Sequence, residues 1–94
     1  MIFEWDENKN KTNKAKHGID FETARHVFED PFAVGIPERV IDSEERWQTI
    51  GCAGNELLLI VAHTYLESDE IIIRIISARK PISSERKRYE NGDS

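Results

Sequence analysis

Two apolar runs joined by an acidic turn, "LLLIVAHTYLESDEIIIRIISAR" (Leu57–Arg79), decide the fold of this chain. Both runs are rich in isoleucine, leucine and valine, which favour extended backbone over helix at this length. The polar residues Glu67-Ser68-Asp69 between them are typical of a tight turn. We therefore predict that the strands 57–65 and 71–79 form a β-hairpin within an antiparallel sheet.

Shorter signals predict the rest of the sheet on either side of this hairpin. Strands are expected at residues 2–5, 32–36 and 47–52, and Gly54-Asn55 supplies a turn between the third of these and the hairpin. The segment 37–45 carries no clear periodicity and is expected to be a loop. The sheet thus has four to five antiparallel strands.

Helix signals lie at both ends of the chain. Asp6 is a good N-cap for a helix over residues 7–16 that ends at Gly18, and Asp20 is a good N-cap for a second helix that ends before Pro31. Ser83 or Ser84 is expected to cap a short helix at the C-terminal end. With 94 residues, the chain is predicted to be a single α+β domain.

Arg74 interrupts the second apolar run and raises the question of what negative charge it meets. Strict alternation puts residues 72, 74, 76, 78 and 80 on one face of the strand and residues 71, 73, 75, 77 and 79 on the other. We expect the helices to cover the second face, which leaves Arg74 on the open one. Arg79 can still join Arg74 if a β-bulge or the end of the strand turns it to the same face. The alternative is a cross-strand ion pair of Arg74 with an acid such as Glu45 or Glu56.

The composition excludes several classes of protein. There is no apolar run long enough to cross a membrane, and the first residues do not resemble a signal peptide. Cys52 is the single cysteine, so no internal disulfide can form and a cytoplasmic location is expected. The net charge of −5 argues against a general nucleic-acid binder, since such proteins are usually basic.

Charge is nevertheless segregated along the chain. Residues 38–70 contain eight acidic residues and two arginines, whereas residues 71–90 contain six basic residues and two acidic ones. A basic patch can therefore exist on an acidic molecule. A protein partner could cover the basic segment 74–88 with an acidic or aromatic segment, or it could grip the acidic stretch 38–70.

The remaining candidates for chemistry are cationic. No glycine-rich phosphate loop and no HExxH or CxxC metal motif occurs, so neither a metal site nor a cofactor is predicted. His63 is a polar residue inside an apolar strand, and it could move a proton or simply bond the backbone as a structural histidine. His17 and His26 are expected to be structural. Arginines, a lysine and one strand histidine suit a site that handles phosphate, and RNA is a candidate substrate.

Four segments together resemble the BrnT family, the toxins of a type II toxin–antitoxin system. They are "FEWDENKNKTNKAKHGIDFETARHVFEDP" (Phe3–Pro31), "ERWQTIG" (Glu45–Gly51), "LLLIVAHT" (Leu57–Thr64) and "IRIISARKPISSERKRYE" (Ile73–Glu90). The resemblance implies a RelE-like fold and cleavage of RNA that arrests translation. It also implies a BrnA-like antitoxin with a ribbon-helix-helix domain, through which the complex binds DNA.

The resemblance also points to particular residues. It favours a catalytic set of His63, Arg74, Arg79 and Lys80 but does not settle which residue is the acid and which the base. His63 is the first choice for proton transfer, because the ordinary pKa of histidine, about 6.5, suits both roles near neutral pH. It implies substrate contacts by Arg46, Trp47, Arg86 and Tyr89. Trp47 could stack a base or pack in the core, and Tyr89 could donate to the leaving oxygen or pin the C-terminal helix to the sheet. Where the family often has Glu-Arg after the Ala-His-Thr segment, this chain has Tyr65-Leu66.

The sequence thus predicts an endoribonuclease toxin that needs no metal and works by attack of the ribose 2′-OH on the adjacent phosphate. The alternative is a non-catalytic binding module of the same fold, whose basic strand docks an acidic protein segment.

Overall fold

The computed structural model describes residues 1–92 and contains three α-helices and five β-strands. In chain order the elements are β1 (Ile2–Glu4), α1 (Glu7–His17), α2 (Phe21–Ala24) with a 3-10 turn (Arg25–Glu29), β2 (Val34–Ile41), β3 (Glu44–Cys52), β4 (Leu58–Glu67), β5 (Ile71–Arg79) and α3 (Ser83–Asn91). The predicted α+β class is confirmed. Within residues 1–92, no helix is long and apolar enough to cross a membrane.

The strands form one mixed sheet in the order β1-β5-β4-β3-β2. Strands β2 to β5 are an antiparallel meander, as predicted, but β1 pairs with β5 in parallel, with Ile2 opposite Ile72 and Glu4 opposite Arg74. The prediction of an entirely antiparallel sheet is therefore wrong at this edge. A three-residue strand has too few residues for its pattern to indicate the direction of its partner.

The segment predicted as a loop is instead a hairpin. β2 continues to Ile41 and β3 begins at Glu44, so only Asp42 and Ser43 form the turn. Both have positive φ, 50° and 66°, as a two-residue type I′ turn requires. Asp-Ser is a weaker signal for this turn than Asn-Gly, and Pro37, at a bulge in the edge strand β2, masks the alternation.

The start of α3 also differs from the prediction. The N-cap is Ile82 rather than Ser83 or Ser84, and the Ile82 side chain makes no hydrogen bond with the helix. Instead, the Glu85 carboxylate accepts a hydrogen bond of 2.9 Å from the Ile82 N–H. A glutamate three residues into the helix thus satisfies the cap backbone from the helix side.

The helices divide the sheet into two unlike faces. α1, α2 and the 3-10 turn pack on one face, here called the covered face, over a core that includes Phe21, Leu59, Val61 and Ile75. On the opposite face, α3 packs over one end only, against a smaller cluster of Ile50, Leu58 and Ile60. The remainder of that second face carries no helix of residues 1–92, and we call it the open face.

The nearly wholly polar helix α1 is attached to the sheet by a buried asparagine. Asn13 is 6% exposed. Its amide nitrogen donates to the Ile19 and Ala78 carbonyl oxygens, at 2.8 and 2.9 Å, and its amide oxygen accepts from the Ala78 N–H at 3.1 Å. The side chain therefore pairs with the backbone of β5 as a neighbouring strand would. Hydrogen bonds replace much of the apolar packing that α1 lacks.

Candidate functional site

A β-bulge in β5 decides which charged residues share a face. Ala62 lies opposite Ser77 and His63 lies opposite Ile75, so Ile76 is the extra residue on β5. Beyond the bulge the alternation is reversed, and Ala78 joins the covered core together with Ile75. Strict alternation had put Ala78 beside Arg74 on the open face, which is wrong.

The bulge consequently brings Arg79 to the open face, where Arg74 already lies. Arg79 is opposite Ile60, a residue of the small cluster beneath α3, and Arg74 is opposite Thr64. The condition stated from the sequence, a bulge between the two arginines, is thus met.

A row of directly opposed residues crosses the open face. Arg39 pairs with Arg46, Arg46 with Thr64, and Thr64 with Arg74. Opposed residues of neighbouring strands point to the same side of a sheet, so this row presents Arg39 and Arg46 on one side of Thr64 and Arg74 on the other, with Glu4 at its end beside Arg74. Arg46 and Arg74 are two strand spacings apart, about 10 Å between backbones, which their long side chains can bridge through a shared anion.

A second polar row lies between the arginines and α3. Gln48 is opposite Ala62, and Ala62 is opposite Ser77. Sequence reasoning missed Arg39, Gln48, Thr64 and Ser77 as members of this face. Gln48 could have been found because it lies two residues after Arg46 in the same strand, whereas the others depend on the register and the bulge.

The guanidinium groups of the first row differ in how they are paired within the protein, and Arg39 Nε lies 3.2 Å from Glu38 Oε1. The Nε atom of Arg46 is buried and, within residues 1–92, has no hydrogen-bond partner. Arg74 Nη1 lies 3.5 Å from Glu4 Oε1, and both side chains are about half exposed, at 43% and 52%. The alternative stated from the sequence, a cross-strand ion pair of Arg74 with an acid, is met in kind, although the acid is Glu4 of β1 and not Glu45 or Glu56. Such an exposed, long ion pair contributes little and leaves Arg74 able to bind an anion.

Arg79 differs because it is already engaged. Its guanidinium makes two hydrogen bonds with the Glu85 carboxylate, of 2.8 and 3.0 Å. These bonds raise the pKa of Arg79 and lower that of Glu85. Because Glu85 also bonds the Ile82 N–H, Arg79 connects the end of β5 to the start of α3. Lys80 follows β5 as an exposed residue, and Arg86 is exposed on α3.

His63 lies on the covered face, away from the arginines. It is 3% exposed, and its ring meets that of Phe28 edge-on at 4.8 Å between centroids. Its Nε2 is 2.7 Å from Thr49 Oγ1 and its Nδ1 is 3.0 Å from the Thr64 carbonyl oxygen. Burial lowers the pKa of His63, which favours the neutral ring. The sequence placed His63 and Arg74 in one catalytic set, but the two lie on opposite faces, because Thr64 and not His63 is opposite Arg74.

Trp47 is on the covered face for the same reason. It is opposite His63 and consecutive with Arg46, so the two neighbours in "ERW" point to opposite sides of the sheet. With His63 it lines a cavity of about 410 Å³. Trp47 is therefore remote from the arginine row, and the two substrate contacts predicted at residues 46 and 47 cannot belong to one site on one face.

Tyr89 fixes α3 to the rest of the domain. Its hydroxyl donates to Asp30 Oδ2 at 2.6 Å and lies 3.6 Å from Cys52 Sγ. The hydrogen bond to Asp30 raises the pKa of Tyr89, and Asp30 also accepts from the Cys52 N–H at 2.8 Å. The alternative in which Tyr89 pins the C-terminal helix is confirmed.

Comparison with known proteins shows which family the chain belongs to. The family model described as "Ribonuclease toxin, BrnT, of type II toxin-antitoxin system" matches residues 5–85. No curated protein sequence matches the chain. The 1.1 Å crystal structure of the Brucella abortus ribonuclease toxin BrnT is similar, with a TM-score of 0.66 and 26% sequence identity, over 88% of this chain and 100% of that one. The chain belongs to the BrnT family of ribonuclease toxins of type II toxin–antitoxin systems.

Proposed function

We propose that this toxin cuts RNA on the open face, at a phosphate held between Arg46 and Arg74. The observation that carries the proposal is the row from Arg39 to Arg74, in which Thr64 lies between Arg46 and Arg74, Arg39 lies beyond Arg46, and no helix of residues 1–92 packs over them. Guanidinium groups suit phosphate because their N–H donors match its oxygens in pairs. The buried, unpaired Nε of Arg46 indicates a donor whose hydrogen-bonding capacity the described protein groups leave unused.

The reaction we propose is transesterification. The ribose 2′-oxygen attacks the adjacent phosphorus and loses its proton, the bond from phosphorus to the 5′-oxygen breaks, and that oxygen takes up a proton. The products are a 2′,3′-cyclic phosphate and a 5′-hydroxyl. Negative charge grows on the phosphoryl oxygens in the transition state, where Arg46 and Arg74 stabilise it. Lys80 and Arg86 are proposed to contact flanking phosphates, and Arg79 to hold α3 in place beside them.

His63 has no part in this chemistry as we propose it. It is buried on the other side of the sheet, and both ring nitrogens have a protein neighbour within 3.0 Å. Its role is to satisfy Thr49 and the Thr64 carbonyl inside the core. The hydrogen bond to Thr64 also helps to fix the backbone of the residue that lies between the two arginines.

We propose that cleavage is independent of a metal ion. The residues of the arginine row are cationic donors, which repel a divalent cation instead of binding it, and the charge that a metal would offset is met by guanidinium groups.

A substrate with one 2′-deoxy nucleotide tests the proposed reaction. Deoxy substitution at the nucleotide on the 5′ side of the cut should abolish cleavage there, because the attacking oxygen is missing. The control carries the deoxy nucleotide two positions away and should be cut as unmodified RNA. EDTA should leave the rate unchanged, and mass spectrometry should find the cyclic phosphate. Cleavage at the deoxy position, or a requirement for added Mg²⁺, would contradict the mechanism.

In the cell, we propose that RNA cleavage arrests translation in the cytoplasm and that a BrnA-like ribbon-helix-helix antitoxin blocks it. The toxin–antitoxin complex would contact operator DNA through the antitoxin, because a toxin with a net charge of −5 is repelled by the duplex.

A further inference from the structure

A second feature, on the covered face, is unused by the cleavage reaction. The helical layer ends beyond Phe28. The cavity of about 410 Å³ lies there on the sheet, and Phe28, Trp47 and Tyr65 are among the residues that line it. Ile73 and His63 contribute to the floor. Both nitrogens of His63 are already engaged, so the cavity offers mainly apolar and aromatic surface to a ligand. It suits one bulky apolar side chain.

Exposed apolar side chains continue from the cavity toward the end of the sheet. Tyr65 is 42% exposed at its edge and is opposite the cavity residue Ile73. Val40, at 68% exposure, is opposite Glu45, which is two residues before Trp47 and hence on the same face. Side chains of this kind are normally covered when they form part of a contiguous patch.

The rim of this surface is strongly acidic. The β2–β3 and β4–β5 turns lie at the same end of the meander, and the segments 38–45 and 65–70 that form them contain seven acidic residues and one arginine. Glu45 and Glu67 face the covered side beside Val40 and Tyr65, and the Tyr65 hydroxyl donates to Glu67 at 3.3 Å. An RNA backbone is repelled by such a rim, whereas a cationic protein segment is attracted.

We propose that this cavity and its acidic rim are the docking site of the antitoxin, which inserts an apolar or aromatic side chain flanked by lysine or arginine. The identity of the partner rests on the toxin–antitoxin assignment above. Of the two arrangements that the sequence left open, the antitoxin grips the acidic end of the sheet and does not lay an acidic segment over the arginines. The sheet itself separates this surface from the proposed cleavage site.

Substitutions that add positive charge at the edge of the cavity test the proposal. Tyr65→Arg should weaken binding of the antitoxin encoded with this toxin by about 100-fold in calorimetry, because it removes an aromatic contact and repels a cationic segment. Glu67→Lys should slow association and reduce its salt dependence. The matched control is Phe32→Arg, at an apolar residue that is 74% exposed outside the cavity, and it should bind normally. RNA cleavage by all three variants should equal that of the wild type.

Two outcomes would overturn the proposal. If Tyr65→Arg and Glu67→Lys bind the antitoxin normally while Arg74→Ala does not, the antitoxin covers the open face. If Tyr65→Arg binds the antitoxin normally but loses RNA cleavage, the cavity receives a nucleobase. Because binding and cleavage are measured separately, a failure of the proposed cleavage site appears only in the arginine variants and leaves this test intact.

Discussion

Replacing Arg46 and Arg74 together by alanine should lower kcat for RNA cleavage by about 10³-fold or more. Removal of one preorganised donor to a developing oxyanion costs about 10²–10³-fold, and these two residues flank the same phosphate in the proposed site. Each single variant should fall between the double variant and the wild type. Single-turnover cleavage of a short RNA, followed at saturating enzyme, separates this loss from weaker binding.

Arg25→Ala is the matched control for these variants. Arg25 lies in the 3-10 turn on the helical side of the sheet and pairs with Glu22 at 2.7 Å, so its removal changes the net charge as much as either single variant does, without touching the open face. It should cleave RNA at the wild-type rate. Equal losses for Arg25→Ala and for the two open-face variants would show that total charge, and not position, controls activity.

Asn13→Ala should lower the free energy of unfolding by about 3 kcal/mol. The substitution leaves the Ile19 carbonyl and the Ala78 N–H and carbonyl without their side-chain partner in a site that is 6% exposed, and a buried unsatisfied group costs about 1–3 kcal/mol. Because these bonds hold α1 on β5, hydrogen exchange should rise first in α1. Urea denaturation followed by circular dichroism measures the change.

Asn8→Ala serves as the control for the helix itself. Asn8 is exposed in the first turn of α1. Replacing it by alanine measures how the change of residue type affects the stability of the helix when no buried hydrogen bond is lost. It should change stability by less than about 0.5 kcal/mol. A similar small effect of Asn13→Ala would mean that apolar contacts, rather than this side chain, attach the helix.

The ends of helices could be predicted where they depend on residues close by in the sequence. The Asp6 side chain accepts from the N–H groups of Asn8 and Lys9, and Asp20 accepts from that of Thr23, as their cap assignments required. Gly18 ends α1 with φ at 73°. These features depend on a few neighbouring residues, so the sequence carries them directly.

The parts that were mispredicted depend on long-range pairing. The direction of β1 is set by its place beside β5, some 70 residues away, and the cap of α3 depends on a glutamate that Arg79 also holds. For the candidate site, Arg74 could be assigned to the open face from alternation alone. His63 and Trp47 could not be assigned correctly, because a shift of one residue in register exchanges the two faces.

The bulge at Ile76 is another feature that depends on long-range pairing and cannot be located from the sequence. Arg79 shares the face of Arg74 only because one residue of β5 is left out of the pairing with β4. Nothing in "IIIRIISARK" marks Ile76 as the extra residue, since it is one of five isoleucines in this run. The arginine row was therefore partly predictable by residue type, but its geometry required the paired strands.

RNA binding on the arginine row of the open face is the step on which the proposed cleavage depends. Its most direct test is an NMR titration with an RNA that carries the single deoxy nucleotide and cannot be cut. The Nε–Hε resonances of Arg46 and Arg74 should shift with RNA, while the indole N–H of Trp47 on the covered face and the Nε–Hε of Arg25 stay in place. Shifts at Trp47 without shifts at Arg46 and Arg74 would contradict the claim and move the RNA site to the other side of the sheet.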